Sequence, residues 1–222
     1  MELLNHITAP NVRNVDLVCF KFIAEIKPTL ARLSQWLPGL TSSHPQHDDF
    51  LTASVIHDDA NSSLTIALSR MLDAESGPFH FRVKADWEQR WATEGEEDQE
   101  NLSATDVLKI IVPTIMNPYA ASRVKHLSIS LDAYPSRSLQ DCISPFTSVS
   151  TLSLRGSATA SCLVELMALS GTRYSPSMLF PELSVLHAHT MQRHHASLDD
   201  HVAAIVKSRA QMGQIIQWWL SS

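Results

Sequence analysis

The sequence predicts an α/β fold, an irregular solenoid of strand-helix units with an antiparallel strand section in its first half. Three observations carry that expectation. An apolar triplet with offsets of three and two residues occurs at Val12, Val15 and Leu17, at Val124, Leu127 and Ile129, at Val149, Leu152 and Leu154, and at Leu183, Leu186 and Ala188. Apolar residues at helical spacing, with capping and stop signals, follow some of these triplets. Strand-like runs joined by short turns fill the stretch between the first triplet and the second.

The first observation sets the architecture, because self-similarity at a fixed spacing marks units that bury their apolar faces only by stacking on one another. Leu127 to Leu152 spans 25 residues, an ordinary leucine-rich-repeat interval, whereas Leu152 to Leu186 spans 34, with the excess in 171–178. The expected fold is therefore a leucine-rich-repeat-like solenoid, with parallel rungs ~4.8 Å apart forming a sheet backed by helices. A single domain over 1–222 suits it. The chain opens on a rung, and terminal repeats are usually capped, which leads to the expectation of a missing N-terminal part.

The helices come next. Ile26, Leu30, Leu33 and Leu37 recur at helical spacing, with Pro28 suited to a first turn and Pro38-Gly39 to a stop. Ser103 and Asp106 resemble a capping box ahead of an apolar helix from Val107 to Met116, which Pro113 should kink or shorten. Ser157 is placed to cap a helix through Leu163, Leu166, Met167 and Leu169, with Gly171 at its exit. Ser197 with Asp200 gives the same start signal before Val202, Ile205, Val206 and Arg209, and Gly213 gives a stop. Ile215 to Leu220 reads as the start of a further strand.

Over 51–88 the pattern changes. Leu51 to Ile56, Ser63 to Leu68 and Phe79 to Trp87 are strand-like, and the last alternates apolar and polar without a break. Their short joins point to an antiparallel meander attached to the main sheet, although three irregular repeats without helices would share the pattern. The following acidic run, Glu94 to Glu100, reads as a solvated loop within 92–102.

Composition excludes several function classes. With 17 Lys and Arg against 23 Asp and Glu, the net charge of -6 offers no footprint for nucleic acid. The longest apolar stretch, near Ile110 to Met116, is too short for a membrane span of ~20 residues. Neither nucleic acid nor a membrane is therefore an expected partner. The N-terminus lacks the basic and apolar regions of a secretory signal, and the expected location is intracellular, in cytoplasm or nucleus. Cys19, Cys142 and Cys162 are too few and scattered for a disulfide framework, so buried reduced thiols are expected.

No motif identifies a reaction or calls for a cofactor, and the chain is not expected to be an enzyme. His187, His189, His194, His195 and His201 invite a metal reading, but in rung register both His187 and His189 sit outward and no cysteine supports a zinc site. His44, His47 and His57 lie near Asp48, Asp49, Asp58 and Asp59, an arrangement that a metal-dependent hydrolase would use and that turn chemistry also explains. Arg155-Gly-Ser-Ala-Thr159 offers only part of a nucleophile elbow, with Ser157 better read as a cap. Trp87, Trp91, Trp218 and Trp219 fit either interface anchors or core and edge positions. A repeat fragment without independent activity is a further alternative.

The phrases Val124 to Leu131, Val149 to Gly156, Leu179 to Leu186 and Ile7 to Leu17 resemble repeat regions of basidiomycete fungal F-box-like proteins. The resemblance implies a protein-binding scaffold whose partner is a protein or peptide, such as a substrate destined for ubiquitination. No F-box is recognisable in the chain, so docking to a ubiquitin ligase adaptor would use a missing N-terminal segment. The Asn or Cys expected three residues beyond each rung is replaced by Phe20, Asp132, Ser157 and Met191, which rules out the usual asparagine ladder. Reading outward positions from the rungs gives the candidate binding face: Asn14 and Asp16; His126, Ser128 and Ser130; Thr151, Ser153 and Arg155; His187 and His189.

Overall fold

The structure, a computed structural model, describes residues 15–20, 51–58, 63–69, 81–86, 121–131, 143–170, 179–189 and 195–221. They form a mixed α/β arrangement around one open sheet of eight strands. These are β1 (Val15–Phe20), β2 (Thr52–Asp58), β3 (Ser63–Ser69), β4 (Phe81–Asp86), β5 (His126–Leu131), β6 (Thr151–Arg155), β7 (Val185–His189) and β8 (Gln217–Ser221). Two helices are described with them, α1 (Thr159–Ser170) between β6 and β7, and α2 (His195–Gln211) between β7 and β8. The expected helices at Ile26 to Leu37 and Val107 to Met116, and the acidic run, lie outside the described residues.

The spatial order is β1-β4-β3-β2-β5-β6-β7-β8. The strands β5 to β8 pair in parallel, each with the next, as strand-helix repetition requires. The stretch read as a meander does pair antiparallel, β2 with β3 and β3 with β4. Its outer strands nevertheless run with the rest of the sheet, because β2 pairs in parallel with β5 and β4 in parallel with β1. Among the described strands, β3 alone runs the other way.

Two apolar rows cross the whole sheet. One passes through Val15, Phe81, Leu68, Ala53, Leu127, Leu152, Leu186 and Trp218; the other through Leu17, Val83, Ile66, Val55, Ile129, Leu154, Ala188 and Leu220. The second and third members of each predicted triplet fall in these rows, even though three strands separate β1 from β5. From β2 to β7 the row members in parallel strands are all buried, and Val124, Val149 and Leu183 are buried beside them. Those side chains are the core that sets the register, since a slip by one residue would turn every one of them to the opposite face.

Main-chain hydrogen bonds hold the same register at the start of the strands. The Leu51 carbonyl accepts from the N–H groups of Lys125 and His126 at 2.9 and 3.0 Å, and the Lys125 carbonyl from those of Ser150 and Thr151 at the same distances. The Ser150 carbonyl continues the series with Ser184 and Val185, at 2.9 and 3.0 Å. The hydroxyls of Ser150 and Ser184 reach back to the same carbonyls of Lys125 and Ser150, at 3.3 and 3.2 Å. A doubly used carbonyl thus fastens β5 to β2, β6 to β5 and β7 to β6 without an asparagine ladder.

At the opposite end, the exit from β6 is tight. Gly156 has φ +92°, and a Cβ there would lie 2.4 Å from the Leu131 carbonyl oxygen, so only glycine fits. The helix then begins at Thr159 and not directly behind Ser157, which lies in the preceding turn. The buried Thr159 hydroxyl lies 2.8 Å from the Gly156 carbonyl and 3.0 Å from that of His189, and its single proton is shared between them. This side chain joins the end of β6 to the end of β7.

The second helix buries Leu198, Val202, Ile205 and Arg209, one stripe at helical spacing, and packs against α1. It starts at His195, so Ser197 falls inside its first turn, where the sequence pattern had placed a cap. Its C-terminus closes as a Schellman motif: Gly213, with φ +84°, donates to the Ala210 carbonyl at 3.0 Å, and Gln214 donates to that of Arg209 at 2.9 Å. Arg209 is 1% exposed, and its guanidinium donates to the carbonyls of Leu179 and Phe180 at 2.6 and 3.2 Å and to the Gln214 side chain at 3.0 Å. Burial lowers its pKa from the usual arginine value. The guanidinium ties the end of α2 to the turn before β7, where Phe180 takes a left-handed φ of 51°.

Two expectations follow. Gly156→Ala should lower folding stability by about 3 kcal/mol, since it adds a backbone clash to a left-handed conformation, and Gly213→Ala by about 1 kcal/mol, where the added Cβ meets open space. Urea titration of both variants measures the contrast. Arg209→Leu should cost about 3 kcal/mol through the buried carbonyls it leaves unpaired, and Arg209→Lys should recover only part of that because an ammonium lacks the planar fork. Thermal unfolding followed by circular dichroism reads the order of the three proteins.

Candidate functional site

The sheet presents a face opposite the two apolar rows. A third row, in register across all eight strands, contains Asp16, Arg82, Ala67, Ser54, Ser128, Ser153, His187 and Trp219. It unites Asp16, Ser128, Ser153 and His187 of the predicted face in one line. A flanking row contains His126 and Thr151 together with Thr52, Val185 and Gln217. On the other side, Ser130 and Arg155 align with Ile56, Thr65, Lys84 and Val18, while His189 pairs with Ser221. Asn14 lies outside the described residues, and of Asp16 only the backbone position is described.

The reason for this segregation is the strand period of two. In β5, β6 and β7 buried and half-buried residues alternate without exception, His126, Ser128 and Ser130 facing outward in β5 just as Thr151, Ser153 and Arg155 do in β6. On β2 to β4, Thr52, Ser69 and Ala67 are buried, whereas Ser54, Thr65, Arg82 and Lys84 are half-buried and Ile56 is exposed. The outward positions missed by reading the triplets alone include Ser54 and Ile56 on β2, Thr65 on β3, Arg82 and Lys84 on β4, Val185 on β7, and Gln217, Trp219 and Ser221 on β8. Ala53 and Val55 carry the rung spacing on β2, but an alanine gave little apolar signal there.

The surface is built from small hydroxyls, an arginine and imidazoles. No carboxylate occurs in β5 to β8. The His187 ring stacks on Trp219 with centroids 4.9 Å apart and an interplanar angle of 12°, and the Ser221 hydroxyl contacts His189 Nδ1. Burial, and then the nearby His187, lower the pKa of His126; burial, then Arg155 and His187, lower that of His189. Each imidazole is thus disposed to remain neutral near pH 7 and to offer a ring nitrogen lone pair as well as an N–H. Lys125 and Glu182 form an ion pair at 2.8 Å at the start of the strands, in solvent, where it contributes little.

Among the described residues no group of three or more His, Cys, Asp and Glu side chains is placed to hold a metal ion. His187 and His189 stand on the sheet, whereas His201 is on α2. Of the other members proposed for a hydrolase, His57 and Asp58 are on β2 and His195 is on α2, while His44, His47, Asp48, Asp49, Asp59 and His194 lie outside the described residues. Cys162 is a buried thiol on α1 in no disulfide, as expected of a reduced core cysteine. No helix among the described residues is long and apolar enough to cross a membrane.

The lowered histidine pKa values fix a direction for pH dependence. The unfolded chain takes up protons near pH 6.5 before the folded chain does, so stability is full above that value and falls as the pH drops below it. Urea midpoints measured from pH 7.5 to 5 should decline, and the slope should flatten in a His126→Gln/His189→Gln protein; an unchanged slope would remove these two groups as its source.

No protein-family model, no curated protein and no solved structure matches the chain.

Proposed function

We propose that the chain is a protein-protein interaction scaffold, a leucine-rich-repeat-like solenoid interrupted by the β3–β4 insertion, which recognises its partner on the outward face of β5 to β8. The observation that carries this reading is the single register row that runs through Ser128, Ser153 and His187 to Trp219. A parallel sheet with small hydroxyls offers donors and acceptors at regular spacing, and Trp219 and Arg155 supply the residue types that most often anchor interfaces. The lack of carboxylates in these strands suits a partner segment that carries them. By resemblance to fungal F-box-like proteins, that partner would be a substrate presented for ubiquitination, although no F-box for holding a ligase adaptor is recognisable in this chain. The role is one of binding, without catalysis by this chain.

Replacing Arg155 and His187 together by alanine should reduce capture of a specific partner by about tenfold or more while leaving the circular dichroism spectrum intact. Affinity capture from a native fungal lysate, with both proteins compared by quantitative mass spectrometry, makes the measurement. Adaptor or cullin subunits among the mutation-sensitive proteins would support the ligase role. Equal capture by both proteins would place recognition on another surface.

A further inference from the structure

The β8 edge of the sheet adjoins that face and shares Trp219 with it. Ile215, Trp218 and Leu220 repeat the three-and-two spacing of the rungs, yet Ile215 is 86% exposed and Trp218 41%. Trp219, on the opposite face, is 49% exposed, and Met212 stands exposed beside them. These residues make up most of the large apolar side chains exposed among the described residues, concentrated on one strand and its lead-in. No described strand pairs with the free side of β8.

The backbone there is ready to accept another strand. Gln217 donates its N–H to the Ser184 carbonyl at 2.8 Å, so Gln217, Trp219 and Ser221 direct their main-chain groups toward β7. By strand alternation, those of Trp218 and Leu220 point away from the sheet. Proteins usually protect such an edge with a charge, a proline or a bulge. From Gln214 to Ser221 there is neither a charged residue nor a proline.

We propose that β8 is a self-association edge, onto which β8 of a second copy of this chain adds antiparallel across a two-fold axis at Trp219. A two-fold axis brings a strand against its own sequence, which a charged edge would oppose and this neutral one does not. With the axis at Trp219, Trp218 of each copy faces Leu220 of the other as a hydrogen-bonded pair, using the outward N–H and C=O groups of both. Trp219 meets its own copy as the closer, non-hydrogen-bonded pair, on the face where it already stacks on His187. Apolar side chains are thereby matched on both faces of the joined sheet, and the interface closes on itself at two copies.

Sedimentation velocity of the full chain from about 1 to 100 µM should show a monomer–dimer equilibrium. Leu220→Pro removes an outward N–H but no donor to β7, and Trp219→Lys sets like charges across the axis. Each should raise the dimer dissociation constant by about tenfold or more, with the far-UV spectrum checked for folding. Trp219→Cys should form a disulfide-linked dimer under mild oxidation, whereas Gln217→Cys, placed away from the axis, should link no more than the parent chain. This crosslinking arm keeps the test decisive if the proline variant does not fold. A monomer at all concentrations, a dimer insensitive to both substitutions, open-ended growth through the β1 edge, or equal crosslinking of the two cysteine variants would each overturn the proposal.

Discussion

Strand register is the constraint on which this molecule depends. The two apolar rows are continuous across eight strands only because each strand is held at one offset from its neighbour. The doubly used carbonyls of Leu51, Lys125 and Ser150 hold that offset by hydrogen bonding, and the buried triplets hold it by packing. The two act on adjoining residues, so an error in one would be opposed by the other. Everything on the outward face follows, since Ser128, Ser153 and His187 line up only if the leucines beneath them do.

The helices are secondary to the sheet but not loosely attached. Thr159 joins the ends of two strands at the root of α1, and Arg209 joins the tail of α2 to the turn that leads into β7. Both side chains are buried and polar, and both use main-chain carbonyls as acceptors. Such groups define position more sharply than apolar contacts do, because a buried donor that loses its acceptor has no substitute nearby. The units around β7 are therefore joined by these two polar contacts as well as through their core.

Much of this was legible in the sequence, and the residues show where legibility ended. Val15 and Leu17, Leu127 and Ile129, Leu152 and Leu154, and Leu186 and Ala188 carry their register openly, because bulky side chains at fixed offsets leave few alternatives. Ala53 in β2 does not, and its strand reads as part of an antiparallel meander attached to the main sheet and not as a rung. Strand order was beyond local pattern altogether, since nothing near Val15 or Phe81 reveals that β1 and β4 pair in parallel. With Ser157 and Ser197 as caps the helices would start at 158 and 198, whereas they start one residue later, at Thr159, and three residues earlier, at His195; a serine ahead of an apolar run is weak evidence beside tertiary contacts. The outward residues of β5 to β7 were readable from alternation alone. Those of β8, and the stacking of His187 on Trp219, depend on which strand lies next to which.

The carbonyl fastening at the strand starts has a consequence for how such a chain can change. Successive rungs in the parallel half lie 25 and 34 residues apart, yet their faces remain aligned. Fastening acts between strands and not along the connecting chain, so the length of a connection is nearly independent of the pattern displayed on the sheet. Lengthening a surface connection costs little entropy, growing only slowly with its size. Such an arrangement lets insertions and deletions accumulate at the rim while the display surface stays constant, and it confines the strict requirements of the sequence to a handful of positions per rung.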